Sequence, residues 1–373
     1  MALSSDPKFR IAILVDEFSE PKNNLASGPS KATIHENPPM HTVEITPPYL
    51  LFLADETRET YVKTGRGIVD WRRALCGGQL RLSSDTLDLG LPDLSIEEAK
   101  AAGVRTLIIG TSQVGGDIQS KWINKLAEAA AAGLDIVAGL HTRLSSVYEI
   151  NEAARRGHSR IIDVRSPPAD IPVGSGKPRS GQRILTVGTD CALGKKYTAL
   201  QLEKDMRETG MNADFRASGQ TGIMIAGRGI PIDCVVADFI SGAAELLSPA
   251  NEDDHWDVIE GQGGIFHPGY AAVTHGLLLG SQPDAFVVCH AAGREHMAGW
   301  DHVPLPSIGE VIQRTVDIGR LTNPDIRCAG ISVNTSQLTA DQREEYLTNL
   351  SQRYALPCVD PVVTGCQAII ENL

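Results

Sequence analysis

The stretch Val187-Gly-Thr-Asp-Cys-Ala-Leu-Gly-Lys-Lys-Tyr-Thr198 has the residue types and spacing of a phosphate-binding loop. An apolar run ending at Val187 leads into Gly188, and a helix is predicted to begin at Gly194 or Lys195. Glycines let the backbone curl so that several N–H groups point inward, and the new helix adds its free amides and the positive end of its dipole. Lys195 stands where the lysine of such loops stands and can reach a phosphate as a point charge. The expected contacts to a nucleotide or coenzyme are Gly188, Thr189, Asp190, Cys191, Ala192, Gly194, Lys195, Lys196, Tyr197 and Thr198. Two departures from the common pattern matter. Five residues, rather than four, separate Gly188 from Gly194, and Lys196 replaces the Ser or Thr that holds Mg²⁺. A second cation there favours gripping a polyphosphate over metal-assisted cleavage, although Thr198 could supply a hydroxyl.

Further chemistry-bearing clusters follow. Asp257-Val-Ile-Glu260-Gly-Gln-Gly-Gly264-Ile-Phe-His267-Pro268 reads as a strand ending in a carboxylate and a glycine-rich turn. At the carboxyl end of a parallel strand, Glu260 would lie beside the phosphate loop. Arg216-Ala-Ser218-Gly-Gln220-Thr221-Gly222 and Asp238-Phe-Ile-Ser241-Gly242 are expected to follow short strands on the same edge. His290 ends another strand, whereas His35 and His41 lie in an irregular early segment. Gly110-Thr-Ser-Gln-Val-Gly-Gly116 resembles a weak dinucleotide turn. The histidines and cysteines show no tight metal-ligand spacing, so no metal is expected.

These clusters must be positioned by a sheet. Apolar runs of strand length alternate with helical segments: residues 11–15, 106–110, 134–139 and 160–164, with an alanine-rich helix over 118–132. Strands are also predicted at 183–187, 234–237, 258–259, 285–289 and 328–333, and residues 19–48 as loop. Continuous β-branched runs between helices indicate a parallel sheet covered on both faces, hence an α/β fold. Residues 167–181 are dense in Pro, Gly and Ser, which sets expected domains at 1–166 and 182–373 with this linker between. A net charge of −12 argues against nucleic acid. No apolar run approaches the roughly 20 residues that span a bilayer. Seven scattered cysteines without a CxxC pair, and an N-terminus without an apolar signal core, point to a reduced, cytoplasmic setting. A homo-oligomer is expected from size alone.

Gly188-Thr-Asp-Cys-Ala-Leu-Gly-Lys195 followed by Glu260-Gly-Gln-Gly-Gly264 resembles dethiobiotin synthetase and its P-loop relatives. With Lys63-Thr-Gly-Arg-Gly-Ile-Val-Asp-Trp-Arg72 and the continuation to His267-Pro268, nearly the whole chain resembles the DgcN-type D-glutamate N-acetyltransferases. The resemblance implies a Rossmann-like N-terminal domain joined to a P-loop NTPase-like domain, with acetyl-CoA as donor and D-glutamate as acceptor. N-acetylation then needs a base for the α-ammonium, and Glu260 or His267 is the candidate, with Asp190 a further nearby carboxylate. An acidic amino acid calls for arginine. Arg216 and Arg294, with Ser218 and Gln220, are the substrate-binding candidates, and Arg66 or Arg143 could reach across. Cys191 invites an acyl-cysteine idea, although a small residue packed under the loop explains it as well. The alternative is a Mg-ATP-dependent ligase or kinase of the dethiobiotin synthetase type.

Overall fold

The computed structural model describes residues 42–111 and 118–373. The strand expected at 11–15, His35, His41, most of the early loop and residues 112–116 of the glycine turn lie outside the described residues.

The first sheet is built from β1 (Tyr49–Ala54), β2 (Cys76–Arg81), β3 (Thr106–Ile109), β4 (Asp135–Ala138) and β5 (Ile161–Asp163). All pairings are parallel, in the order β2-β1-β3-β4-β5. Helices α1 (Lys63–Arg72), α2 (Ile96–Ala101), α3 (Ser120–Ala131) and α4 (Tyr148–Gly157) connect them. The chain leaves β1 for one neighbour and later returns on its other side, so the carboxyl ends of β1 and β3 flank the crevice where such sheets take ligands.

The second sheet begins with β6 (Gln182–Gly188), then α5 (Lys195–Glu208), β7 (Ala213–Arg216), α6 (Gln220–Ala226) and α7 (Ile240–Leu247). It continues with β8 (Trp256–Ile259), α8 (Ala271–Ser281) and β9 (Ala285–Ala291). A hairpin, β10 (His296–Met297) with β11 (Trp300–Pro304), precedes α9 (Ile308–Gly319) and β12 (Arg327–Asn334). The chain closes with α10 (Ala340–Tyr354), β13 (Cys358–Val359) and α11 (Gln367–Ile370). The order β13-β12-β9-β6-β8-β7 is again wholly parallel. The fold is α/β with two parallel sheets, as the patterning predicts. One strand is corrected: residues 234–237 run through two short 3-10 turns, and Val236 is 66% exposed, so this apolar run faces solvent.

The apolar cores of the two sheets are continuous. Ile68 and Val69 of α1 share one buried cluster with Leu51 of β1, with Ile184 of β6, and with Ile223 and Met224 of α6. Burying about 25 cal/mol per Å² of apolar surface, this seam fixes how α1 meets the second sheet. Thr64 and Thr221 hydroxyls meet across it at 3.1 Å, and Arg72 Nε donates to Ile225 O at 3.0 Å. No helix among the described residues is long and apolar enough to cross a membrane.

Candidate active site

The loop after β6 opens into α5 at Lys195, behind Gly194 at φ +107°, a left-handed conformation that a side chain would strain. No side chain caps α5, so its first amides stay free for an anion. Lys195 Nζ folds back to donate to Asp190 O at 2.8 Å. On one flank the loop is tied down. Asp190 is fully buried, and its carboxylate accepts from Cys191 N at 2.6 Å, Ala298 N at 2.8 Å and Arg294 Nη1 at 3.0 Å. Arg294 Nη1 also donates to Cys191 O at 2.9 Å, so arginine and aspartate together strap the loop to the β10–β11 hairpin. Thr189 Oγ1 meets His290 Nδ1 at 3.1 Å, and burial, then Arg294, hold that imidazole below its ordinary pKa.

His267 is sealed behind this flank with no exposed surface, its ring 4.6 Å from those of both Tyr270 and Trp300. Its Nδ1 accepts from Gly269 N at 3.1 Å, which leaves the ring proton on Nε2, 3.8 Å from Asp190 Oδ1. Burial lowers its pKa, against the pull of Asp190. His267, one of the two candidate bases, is thus wholly buried with its Nδ1 already accepting from Gly269 N. Asp190, Cys191 and His267 bring ligand-type atoms within 4.8 Å of one another. The Arg294 charge on Asp190 and the proton on His267 Nε2 set that trio against a cation.

The other flank is different. Glu260 follows β8, whose Ile259 is level with Leu185 of β6, so its carboxylate stands beside the loop as predicted. Glu260 Oε2 accepts from Ser218 N at 3.1 Å and Gly219 N at 3.0 Å, the orphan amides at the start of α6. Burial pushes its pKa up to about 7, while Lys196 and those two amides work against the rise. Lys196 points away from the loop, across to α1. A Cβ at Gly67 would stand only 2.4 Å from Lys196 Nζ, so the glycine makes the slot that the ammonium fills. Burial draws Lys196 down to about 8, with Glu260 opposing and Lys63 assisting. Tyr197 donates its hydroxyl to Asp70 of α1, a second tie across the seam.

Lys63, Arg165 and Asp233 complete this flank, and none carries a role in the sequence reading. Arg165 Nε donates to Gly139 O at 2.7 Å, and Nη1 pairs with Asp233. Lys63 opens α1 with an exposed side chain; desolvation by its neighbours, then the charge of Arg165, lowers its pKa, while Cys191 and Asp233 oppose. Two glycines inside the first turns of α1, each costly to a helix, were the signal of a close approach there.

Other expected contacts are placed elsewhere. Thr198 turns inward, its hydroxyl 2.8 Å from Ser332 Oγ, and offers nothing to a phosphate or Mg²⁺. Arg216 is likewise corrected: its guanidinium is buried in an ion pair with Asp257 at 2.7 Å, directed toward the start of the sheet. Arg294 is spent on the loop itself. Ser218 Oγ is held between the Glu260 carbonyl and Gln262 Nε2, the latter at 3.0 Å. Gln220 lies against Gly139, where a Cβ would meet its Oε1 at 1.8 Å. Residues 238–242 run from a 3-10 turn into α7 rather than following a strand, and Gly242 packs on Pro172. Arg66 pairs with Glu59, and Arg143 is exposed. Burial raises the Cys191 thiol, Lys195 opposing, which disfavours the thiolate an acyl-cysteine would need.

Comparison with known proteins agrees with this architecture. Residues 73–167 match the Rossmann-like domain, and residues 172–370 the P-loop domain, of a family described as a domain of unknown function, DUF1611. A D-glutamate N-acetyltransferase of Pseudoalteromonas sp is 46% identical over 331 residues, 89% of this chain and 100% of that protein. One from Tritonibacter scottomollicae is 42% identical over 329 residues, 88% of this chain and 99% of that protein. The crystal structure of a DUF1611 family protein from Anabaena variabilis superposes with a TM-score of 0.80 at 31% identity, covering 88% of this chain and 99% of that one. In fold and in sequence over most of its length, the chain belongs to the DUF1611 family, with D-glutamate N-acetyltransferases among its relatives.

Proposed function

We propose that this chain transfers the acetyl group of acetyl-CoA to the amino group of D-glutamate. The observation that carries the reading is the pairing of an anion-gripping loop lacking a metal-binding hydroxyl with a carboxylate whose pKa is near neutral. Lys196 occupies the hydroxyl position, Thr198 is turned inward, and Glu260 stands at about 7. That arrangement suits holding a coenzyme phosphate while a proton is moved, and the relatives named above carry the matching activity in their names.

In this mechanism the free amides of α5 and Lys195 bind phosphate oxygens. Glu260, ionised, takes a proton from the α-ammonium. The nitrogen bonds to the acetyl carbon and the C–S bond breaks. The CoA thiolate takes one of the two protons the nitrogen loses, and the other leaves through Glu260 to solvent. No metal is required in any step.

The test is thiol release from acetyl-CoA on adding D-glutamate, run beside thermal unfolding with acetyl-CoA or with ATP and Mg²⁺. Acetyl-CoA is expected to raise the melting temperature, since it binds only the native state, and D-glutamate to trigger thiol release. Stabilisation by ATP with Mg²⁺ alone, without thiol release, would favour a ligase or kinase of the dethiobiotin synthetase type instead.

A further inference from the structure

Helix α1 carries a buried glycine at its centre, Gly67, with no left-handed backbone to require it. A glycine in a helix interior weakens the helix relative to alanine. What a methyl group would meet differs along α1. At Gly65 it would meet Leu89 Cδ1 at 3.0 Å, Leu53 Cδ2 at 3.2 Å and Gly110 O at 3.4 Å, so that glycine serves close packing on the first sheet. At Gly67 it would meet Lys196 Nζ at 2.4 Å and, further off, Thr221 Cγ2 at 3.1 Å. The nearest atom is the charged tip of a flexible side chain, with no backbone behind it. Alanine at 67 therefore suits the helix and displaces the ammonium.

The same contacts lead to Glu260. Thr221 stands in the first turn of α6, and the Ser218 and Gly219 amides that open this turn donate to Glu260 Oε2 at 3.1 and 3.0 Å. A Cβ at Gly222, the residue after Thr221, would stand 2.2 Å from the same oxygen. Residues 218–222 thus meet the Glu260 carboxylate on one side and the Lys196 ammonium on the other. The other charges near this pair are Asp233, which acts on Glu260, and Lys63 and Asp70, which act on Lys196. Lys195 passes Gly261 with its stem, but its ammonium is bonded to the Asp190 carbonyl.

We infer that Gly67 is a positioning residue for Glu260: the space of its missing side chain holds the Lys196 ammonium against the turn that carries the carboxylate. A helix of the first sheet thereby keeps a cation beside a base of the second, at the expense of its own stability. The chemical meaning of that base rests on the acetyltransferase reading, whereas the positioning concerns a carboxylate and is read without turnover.

The test uses the full chain, isotopically labelled at its glutamate carboxyl carbons, with Gly67→Ala, Lys196→Ala and the double variant. The Glu260 signal is identified by its loss in Glu260→Gln, and its titration midpoint is followed by NMR beside melting curves. Gly67→Ala is expected to melt no lower than the unaltered chain. Its midpoint should move to higher pH, because the ionised carboxylate loses its cation. Thiol release should fall most below neutral pH and recover as pH rises. Lys196→Ala should move the midpoint at least as far, and the double variant no further, since both changes remove one contact. If Gly67→Ala does melt lower, the double variant should recover, because methyl and ammonium compete for one space. An unmoved midpoint in Gly67→Ala, additive shifts in the double variant, or a melting loss that Lys196→Ala does not relieve would make Gly67 a packing glycine and overturn the proposal. The expected shift in a protein without thiol release would leave the positioning standing and sink the acetyltransferase reading. Thiol release with an unmoved midpoint would do the reverse.

Discussion

The P-loop sheet has charged clusters at both ends, and they are built on opposite plans. Where the strands begin, Asp257 accepts from Arg216 Nε at 2.7 Å and Ser248 Oγ at 2.6 Å, and His255 lies at 3.1 Å. Arg183 Nε closes the set on Ser248 at 3.0 Å. Arg216 and Asp257 side chains are only 6% and 2% exposed, and every group has its partner. Where the strands end, Lys63 and Lys196 have no hydrogen bond among the described residues, and Glu260 is bound through one oxygen only. A saturated network of charges holds a fold together; an unsaturated one is held together by the fold and keeps capacity for a ligand. Burial alone does not separate them.

The largest effect that would sharpen this contrast is at Glu260. Glu260→Gln keeps an oxygen for the Ser218 and Gly219 amides, so melting should barely move. The rate should fall about 10²- to 10⁴-fold, the range for a lost general base. A stability loss with retained turnover would show Glu260 to be only a cap. At the other end, Arg216→Met should leave Asp257 buried without its cation and cost about 3–5 kcal/mol in denaturant unfolding. The Michaelis constant for D-glutamate should not change in the folded protein. A raised constant with intact stability would break the comparison and return Arg216 to the acceptor site.

The smallest effect is in pH. Glu260 works ionised, so kcat/KM should rise with pH through about 7. Lys196 favours the ionised form, so in Lys196→Met the inflection should move to higher pH. An inflection that stays in place would mean that Lys196 does not act on the base.

The end of the sheet that carries the phosphate loop was legible because its signals are local. The apolar run before Gly188, the glycine pair and Lys195 together specify a strand, a turn and a helix start, and Glu260 after Ile259 follows from strand direction. What distant residues do with their side chains was not legible. Arg216, Thr198 and His267 all sit next to the right turns, but each is turned into the core by a partner 30 or more positions away: Asp257, Ser332 and Trp300. The slot that Gly67 makes for Lys196 was not legible for the converse reason, since only the seam between the sheets brings the two together. The run at 234–237 mimicked a strand because β-branched residues also occur on exposed turns, where no neighbouring strand pairs with them. β2 was missed because Cys76-Gly-Gly-Gln lacks β-branched residues and lies at a sheet edge.

The seam also sets an order of events during folding. The contact of Thr64 with Thr221 closes a span of 157 residues, and contacts of such long range form late because the loop entropy must be overcome first. During synthesis α1 emerges well before the phosphate loop exists, with nothing yet to fill its slot at Gly67. A chain whose seam has not closed therefore has its phosphate loop without α1 beside it, and Lys196 without the slot that Gly67 leaves for it.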